Sequence, residues 1–252
     1  MRIAVYTCIT GGYDPLRPPA YVDGRLDYYY FGESASEAVE PWKFRPVGLP
    51  HLEARERNRY VKMHPHKVLP EYDVTLYIDG SIRIVGDVHE MVTEALKRGG
   101  DIYLYDHLER DCIYSEASIC AHNSYEWIWS IARQMRRYSR EGYPPNNGLF
   151  EGGVILRRNT ERARNIMECW WEEYRRGAKR DQLSLTYVLW KLGCSVTSLG
   201  VSDHRRNHRY FVFENHDHRI TSSLLARVLV NRLVEAVVPY DRLFSTRRLV
   251  GK

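Results

Sequence analysis

The chain has 252 residues, of which 44% are hydrophobic and 27% are charged, a composition typical of a globular protein and incompatible with global disorder. No stretch reaches the roughly 18 uninterrupted apolar residues of a membrane-spanning helix. The formal net charge of +5 favours a phosphate-bearing ligand or an anionic surface over extended nucleic-acid binding. Five cysteines without a C-x-x-C spacing indicate neither a zinc ribbon nor a disulfide framework, so we expect a cytoplasmic protein.

The first half of the chain alternates strand-like and helix-like segments, which predicts an α/β fold with a mostly parallel central sheet. The predicted elements are strands over 3–10, 26–31 and 42–47, a helix over 52–67 that Pro65 ends or kinks, a strand over 74–78, a helix over 88–96 and a strand over 102–105. The strand over 74–78 has the strongest buried-strand pattern and runs directly into a turn at Asp79, Gly80 and Ser81.

The second half continues the pattern, with a long helix over 117–139, a strand within 148–156, helices over 160–174 and 181–192, and an edge strand over 194–199. We expect an ordered polar loop over 200–219 and then a terminal helix. Its apolar face belongs to the core or to a dimer surface and consists of Leu224, Leu225, Val228, Leu229 and Leu233. The tryptophans assigned to the core are Trp127, Trp129, Trp170, Trp171 and Trp190. Since no repeat or linker divides the chain, we predict one domain over 1–252, with a core over 1–199 and a loop, helix and basic tail over 200–252.

Three stretches of the sequence together resemble one known family. They are Val5–Asp14, Leu69–Ile82, and Phe150–Asn159 followed by Arg180–Gln182. In this order they are similar, over about the first 195 residues, to a glycosyltransferase-like family once catalogued as a domain of unknown function. Its plant members are linked to mucilage polysaccharide synthesis, and some are labelled alkaline ceramidases. The resemblance implies a GT-A-like, Rossmann-type nucleotide-binding sandwich that uses a nucleotide-sugar donor.

Asp79 stands at the carboxyl end of the predicted strand over 74–78, where open α/β sheets bind their ligands. With the resemblance, we expect Asp79, Gly80 and Ser81 to lie at the donor and Asp79 to hold Mn²⁺ or Mg²⁺; a turn-capping aspartate is the alternative. The usual GT-A pattern is Asp-x-Asp, and Ser81 is a poorer cation ligand than a carboxylate, which leaves the need for a metal open. His216, Asp217 and His218 are the candidate compensating ligands, and a solvated polar loop is the alternative there.

The end of the first strand is the predicted nucleotide site. Its residues are Thr7, Gly11, Gly12 and Tyr13, with Tyr13 stacked on the base, and an ordinary glycine turn is the alternative. Arg59 and Lys62, three residues apart on a predicted helix, are expected to contact the diphosphate, unless they belong to a solvated helix face.

The sugar side of the site is predicted around Glu151. Its carboxylate is expected to bind sugar hydroxyls while Gly152 and Gly153 let a sugar approach the backbone, and a strand bulge is the alternative. The resemblance implies that Asp181 and Gln182 also face the sugar. Asp181 or Glu151 would then be the catalytic base of an inverting mechanism, although helix capping alone accounts for Asp181.

These features predict a glycosyltransferase of the hexosyltransferase type that transfers a sugar from a nucleotide-sugar donor to a glycan or glycolipid acceptor, with no nucleic-acid partner. The terminal helix and Arg247–Arg248 suggest a peripheral contact with anionic lipid at the inner membrane surface. One alternative is a metal-assisted amide hydrolase of the ceramidase kind, with ligands from His204, His208, His216 and His218. The other is a non-catalytic carbohydrate-binding protein, for which Ser81 is the hint.

Overall fold

The computed structural model describes residues 1–214 and 222–237, and within them nine strands and eight α-helices. The strands are β1 (Ile3–Cys8), β2 (Asp27–Gly32), β3 (Lys43–Pro46), β4 (Val74–Ile78), β5 (Ile82–Ile84), β6 (Ile102–Asp106), β7 (Phe150–Arg158), β8 (Thr197–Val201) and β9 (Phe211–Phe213). The helices are α1 (Ala54–Met63), α2 (Pro65–Val68), α3 (Val88–Lys97), α4 (Ile113–His122), α5 (Ile128–Glu141), α6 (Glu161–Arg176), α7 (Gln182–Lys191) and α8 (Ser222–Val237). His216, Asp217, His218, Arg247 and Arg248 lie outside the described residues.

The central sheet has seven strands in the order β3-β2-β1-β4-β7-β6-β8. Strand β1 is parallel to both β2 and β4, β2 is parallel to β3, and β6 is parallel to β8, whereas β7 runs antiparallel to β4. The predicted α/β class with a mostly parallel sheet is therefore confirmed. The strand order reverses at β1, so the carboxyl ends of β1 and β4 form the crevice in which such sheets bind ligands.

The chain divides into two compact units. The first contains residues 1–108, 151–171 and the described part of 195–218, and it carries almost all of the sheet. The second contains residues 109–150 and 172–194 together with α8. The single domain over 1–252 stays a prediction. None of the described helices is long and apolar enough to cross a membrane.

A buried arginine of β7 holds the end of α1 against the sheet. Arg157 is 1% exposed, and its guanidinium donates to the Lys62 carbonyl at 2.7 Å and to the Tyr6 hydroxyl at 2.6 Å. Burial lowers the pKa of Arg157 from its ordinary value. A cavity of about 10 Å³ beside Arg157 and Met167 reaches Thr75 in the amino-terminal half of β4, far too small for a nucleotide.

The single helix predicted over 117–139 is wrong, because α4 and α5 are separate helices. The connection between them is held by Asn231 of α8, which is fully buried. Its Oδ1 accepts from the Ile128 amide at 3.0 Å, and its Nδ2 donates to the carbonyls of Ala121 and Glu126 at 3.2 and 2.9 Å. These bonds satisfy backbone groups that a helix end leaves open, and they come from a residue more than 100 positions later.

A second, two-stranded sheet also departs from the predictions. Strand β5 pairs antiparallel with β9, with Ile82 opposite Phe213 and Ile84 opposite Phe211. The sequence predicts only a turn at 79–81 before a helix, and a loop without strands over 200–219. Three-residue strands carry too short a pattern to be recognised before their partner is known.

Several apolar side chains assigned to the core are exposed. Leu225, Leu229 and Leu233 of α8 are 55%, 66% and 68% exposed, whereas Asn231 of the same helix is fully buried. Trp129 is 51% exposed and stacks on Trp127, with 4.6 Å between the ring centroids. The core assignment is therefore wrong for Trp129. For the three leucines exposure excludes the core alternative, and the dimer surface stays a prediction.

We expect stability to depend on pH through His64, which is fully buried between α1 and α2. Its Nδ1 donates to the Tyr60 carbonyl at 2.8 Å, and burial lowers its pKa to about 4, although Glu168 opposes this shift from 3.4 Å. The unfolded chain, with a histidine pKa of about 6.5, then binds more protons than the folded chain between pH 6.5 and pH 4. The free energy of unfolding should fall by up to about 3 kcal/mol as the pH drops through that window.

Urea denaturation at several pH values measures this dependence. His64→Gln should flatten the curve between pH 6.5 and pH 4, whereas His51→Gln, at an exposed position, should leave it unchanged. Equal slopes for wild type and His64→Gln would contradict the assignment.

Candidate functional site

Asp79 directly follows β4 and holds a fixed orientation at the rim of the sheet. Its backbone amide donates to the Gly153 carbonyl at 2.8 Å, and its carbonyl accepts from the Ile82 amide at 2.9 Å. The carboxylate is 29% exposed, and its Oδ1 accepts from the Tyr77 hydroxyl at 2.7 Å. Burial above all, and the Asp79 charge, keep the pKa of Tyr77 well above its usual value, so this hydroxyl stays a donor. Backbone hydrogen bonding thus forms the turn and leaves the carboxylate to other partners.

Lys62 lies beside this carboxylate. The sequence left open whether Lys62 and Arg59 contact a diphosphate or lie on a solvated helix face. Lys62 is 1% exposed, which excludes the solvated face for it, and its Nζ lies 3.5 Å from Asp79 Oδ1. Arg59 is half-buried and donates to the Asn58 side chain. The structure therefore brings Lys62 into the site.

The glycine loop after β1 has backbone conformations that favour glycine. Gly11 and Gly12 have φ values of +67° and +60°, and a Cβ on Gly11 would lie 3.0 Å from Ala54 Cβ. The ordinary-turn interpretation accounts for both glycines. Tyr13 is exposed, whereas Thr7 is buried within β1 and its hydroxyl has no hydrogen-bond partner among the described residues. Nucleotide contacts of these four residues stay predictions.

The ends of β1 and β4 approach each other closely at Gly80. A Cβ there would lie 2.9 Å from Ile9 Cγ1 and 3.2 Å from Asp14 Cβ, so glycine permits the contact. Ser81 follows as a buried residue, and its carbonyl accepts from the Glu214 amide at 2.7 Å. The ends of β1 and β4 are thus adjacent, with Asp79 on the β4 side, and ligand binding at this edge stays a prediction.

Glu151 of β7 forms a buried pair with His204. From the sequence, His204 was a candidate only as a metal ligand of the hydrolase alternative. Its Oε2 lies 3.0 Å from His204 Nε2 and 3.4 Å from Arg205 Nε. Burial raises the pKa of Glu151, but the hydrogen bond from His204 and the nearby positive charges outweigh burial and bring it to about 2. The other oxygen, Oε1, is buried without a hydrogen-bond partner among the described residues.

A carboxylate anchors the loop that carries His204. Asp203 is buried, and its two oxygens accept from the backbone amides of Arg209, Tyr210 and Phe211 at 2.8 to 3.1 Å. The loop then enters β9, whose pairing with β5 holds it next to the turn after Asp79. The polar stretch after the edge strand was visible in the sequence, but its pairing with Glu151, 53 positions away, was not.

Gly153 is the point at which these groups converge. A Cβ at Gly153 would lie 3.5 Å from Asp79 Oδ2, 4.0 Å from His204 Nε2 and 2.7 Å from Ile82 Cδ1. A side chain at this position would clash with Ile82, so glycine allows Ile82, Asp79 and His204 to approach the strand closely. Gly152 is half-buried, and both glycines lie in β7 immediately before Val154, the first residue of the described pairing with β4; their contacts with a sugar stay predictions.

Asp181 and Gln182 lie in the second unit, at the start of α7. Asp181 is buried but makes no capping hydrogen bond with its side chain, so capping does not account for it. The side-chain Nε2 of Gln182 donates to the Phe150 carbonyl at 3.2 Å. Their roles toward a sugar stay predictions.

Among the described residues, the donor set at Asp79 does not fit a divalent cation. Mg²⁺ and Mn²⁺ prefer several oxygen ligands, above all carboxylates. Asp79 supplies one carboxylate, and one of its oxygens is already engaged by Tyr77 and Lys62. Ser81 supplies no second carboxylate.

One group of side chains in the described part of the chain lies within reach of a common cation. Ligand atoms of Asp23, Asp87 and His89 lie within 4.8 Å of one another. Asp23, however, binds Arg25, whose hydrogen bonds lower the pKa of Asp23 to about 2, and Asp87 caps α3 by accepting from the Glu90 amide at 2.8 Å. These partners account for both carboxylates.

Comparison with known proteins identifies relatives of this chain. The family described as "TOD1/MUCI70, glycosyltransferase-like domain" matches residues 32–219, which confirms the resemblance seen in the sequence. This range contains Lys62, Asp79, Glu151 and His204 but not the glycine loop at 11–13.

Two individual proteins are similar over much of the chain. A curated relative, "Probable hexosyltransferase MUCI70" of Arabidopsis thaliana, is 24% identical over 257 residues, covering 89% of this chain but only 43% of the relative. The chain thus spans less than half of that protein. The crystal structure of mouse xyloside xylosyltransferase 1 in its apo form superposes with a TM-score of 0.49 and 13% identity, over 81% of this chain and 86% of that one.

We expect Asp203→Ala to loosen the loop that carries His204, since three backbone amides lose a charged acceptor. The free energy of unfolding should fall by about 2 kcal/mol, and hydrogen exchange at Arg209, Tyr210 and Phe211 should accelerate at least tenfold. Asp111→Ala, at an exposed position, is the control and should change neither. Exchange rates in Asp203→Ala equal to those of wild type would contradict this role.

Proposed function

Because the chain belongs to the TOD1/MUCI70 glycosyltransferase-like domain family, we propose that it transfers a sugar, of the hexosyl type, from a nucleotide-sugar donor to a glycan or glycolipid acceptor. The observation that carries the proposal is the position of Asp79. Its oriented, partly exposed carboxylate stands at the carboxyl end of β4, in the crevice beside β1. The donor would bind there, with its nucleotide toward the loop at 11–13.

Glu151 would orient a sugar hydroxyl and not take its proton. A carboxyl group with a pKa of about 2 is anionic at neutral pH but is a weak base, since an effective general base has a pKa near the working pH. Its unpartnered Oε1 can accept a hydrogen bond from a hydroxyl group. The role of catalytic base that the resemblance implies for Asp181 stays a prediction.

The ceramidase-like alternative receives no support from the described residues. His204 pairs with Glu151, and the only triad within metal-binding distance in the described part contains a single histidine. Cation binding by His216 and His218 is a prediction separate from Asp79, because both histidines lie outside the described residues. A cytoplasmic location and a peripheral contact with anionic lipid likewise stay predictions.

A thermal-shift panel of nucleoside diphosphates, each with and without Mn²⁺, tests the proposal. A ligand at about 100 times its Kd stabilises a protein by about 2.7 kcal/mol, which raises the Tm of a chain of this size by roughly 5 to 10 °C. We expect at least one nucleotide to reach this shift and Asp79→Asn to weaken its binding at least tenfold. Asp111→Asn should behave as wild type. A panel without any shift would contradict the proposed function.

A further inference from the structure

The buried Lys62 ammonium distinguishes the Asp79 site from an ordinary acidic metal site. Lys62 Nζ lies 3.5 Å from Asp79 Oδ1 and 5.1 Å from the centre of the Tyr77 ring. The backbone of Lys62 is held as well, because its carbonyl accepts from Arg157 and from the Tyr6 hydroxyl. The Lys62 ammonium is therefore a buried charge with a defined position next to Asp79 Oδ1, and not a mobile surface charge.

The charge of Lys62 has a direct consequence for what Asp79 can bind. A buried ammonium is costly unless it is paired, and Asp79 is the carboxylate beside it. The pair has no net charge, so it attracts a divalent cation much less than a free carboxylate would. Ser81, in the position of the second acid of Asp-x-Asp, adds no negative charge.

The second oxygen of Asp79 is placed for a different ligand. The described contacts with Tyr77 and Lys62 both go to Oδ1 and the Asp79 side chain is 29% exposed, whereas Oδ2 lies near Gly153. A carboxylate that is paired with an ammonium through one oxygen still accepts hydrogen bonds through the other oxygen. Hydrogen bonds from hydroxyl groups to an ionised carboxylate are strong. Ribose and sugar hydroxyls are the donors that a nucleotide sugar offers.

We infer that the Lys62–Asp79 ion pair replaces the divalent cation of the donor site, so that Asp79 binds a hydroxyl group of the nucleotide sugar without a metal. Lys62 is a positioning residue in this scheme, since it acts through Asp79. That the ligand is a nucleotide sugar rests on the proposed function. That Asp79 holds no cation does not depend on it.

Isothermal titration with the nucleoside diphosphate that gives the largest thermal shift tests the inference, once in EDTA and once in Mn²⁺. The Kd of wild type should differ less than twofold between the two conditions. Lys62→Met, which keeps the length of the side chain, should weaken binding at least tenfold in EDTA, and Mn²⁺ should recover part of that loss because it restores the missing positive charge. Damage to the fold alone would not be reversed by Mn²⁺. Lys97→Met, on the exposed face of α3, is the matched control and should bind as wild type.

A second measurement does not depend on the folding of Lys62→Met or on any nucleotide. Electron paramagnetic resonance of Mn²⁺ alone should show the same uptake by wild type and by Asp79→Asn. Uptake that disappears in Asp79→Asn, or nucleotide binding by wild type that is lost in EDTA, would overturn the inference while leaving the glycosyltransferase proposal intact. If no nucleotide bound under any condition, the proposed function would fail, and the Mn²⁺ comparison would still decide whether Asp79 holds a cation.

Discussion

The contact between the Arg157 guanidinium and the last turn of α1 is the constraint on which the site depends. Arg157 is a buried cation, and its guanidinium donates to the Lys62 carbonyl and the Tyr6 hydroxyl. They fix the end of α1 relative to β1 and β7. Successive residues of an α-helix point about 100° apart around its axis. Because the end of α1 is fixed in this way, the side chain of Lys62, and not that of a neighbouring residue, points toward Asp79.

The region around Asp79 is built from segments that are far apart in the sequence. Strands β1 and β4 contribute adjoining ends, and Gly80 lets them approach. The short sheet of β5 and β9 then ties a loop from beyond residue 200 to the turn after Asp79, and Asp203 folds that loop so that His204 reaches Glu151. The pairing of the strands therefore sets the approximate position of each side chain at the site. Individual buried hydrogen bonds then set its orientation.

What the sequence could predict was local in origin. The run from Val74 to Ile78 forms β4 with the predicted bounds, and Asp79 follows it at the rim, because a continuous apolar stretch that ends in a turn needs no distant partner to be recognised. Asp87 caps α3 for the same reason. The burial of Lys62 and the pairing of Glu151 with His204 depend on side chains 17 and 53 positions away, which no periodicity records. The split between α4 and α5 depends on Asn231, which is more distant still.

Charge pairing of Asp79 and Glu151 bears on the proposed binding of an anionic donor. Asp79 is balanced by Lys62, and Glu151 by Arg205 together with the hydrogen bond from His204. Unpaired, both carboxylates would repel a diphosphate, and the repulsion would be strongest where the site excludes water. Paired, they keep their capacity to accept hydrogen bonds from hydroxyl groups while the local field stays close to neutral. The modest net charge of +5 is consistent with this arrangement, since the proposed donor would be recognised by positive charges at particular positions and not by a large total charge.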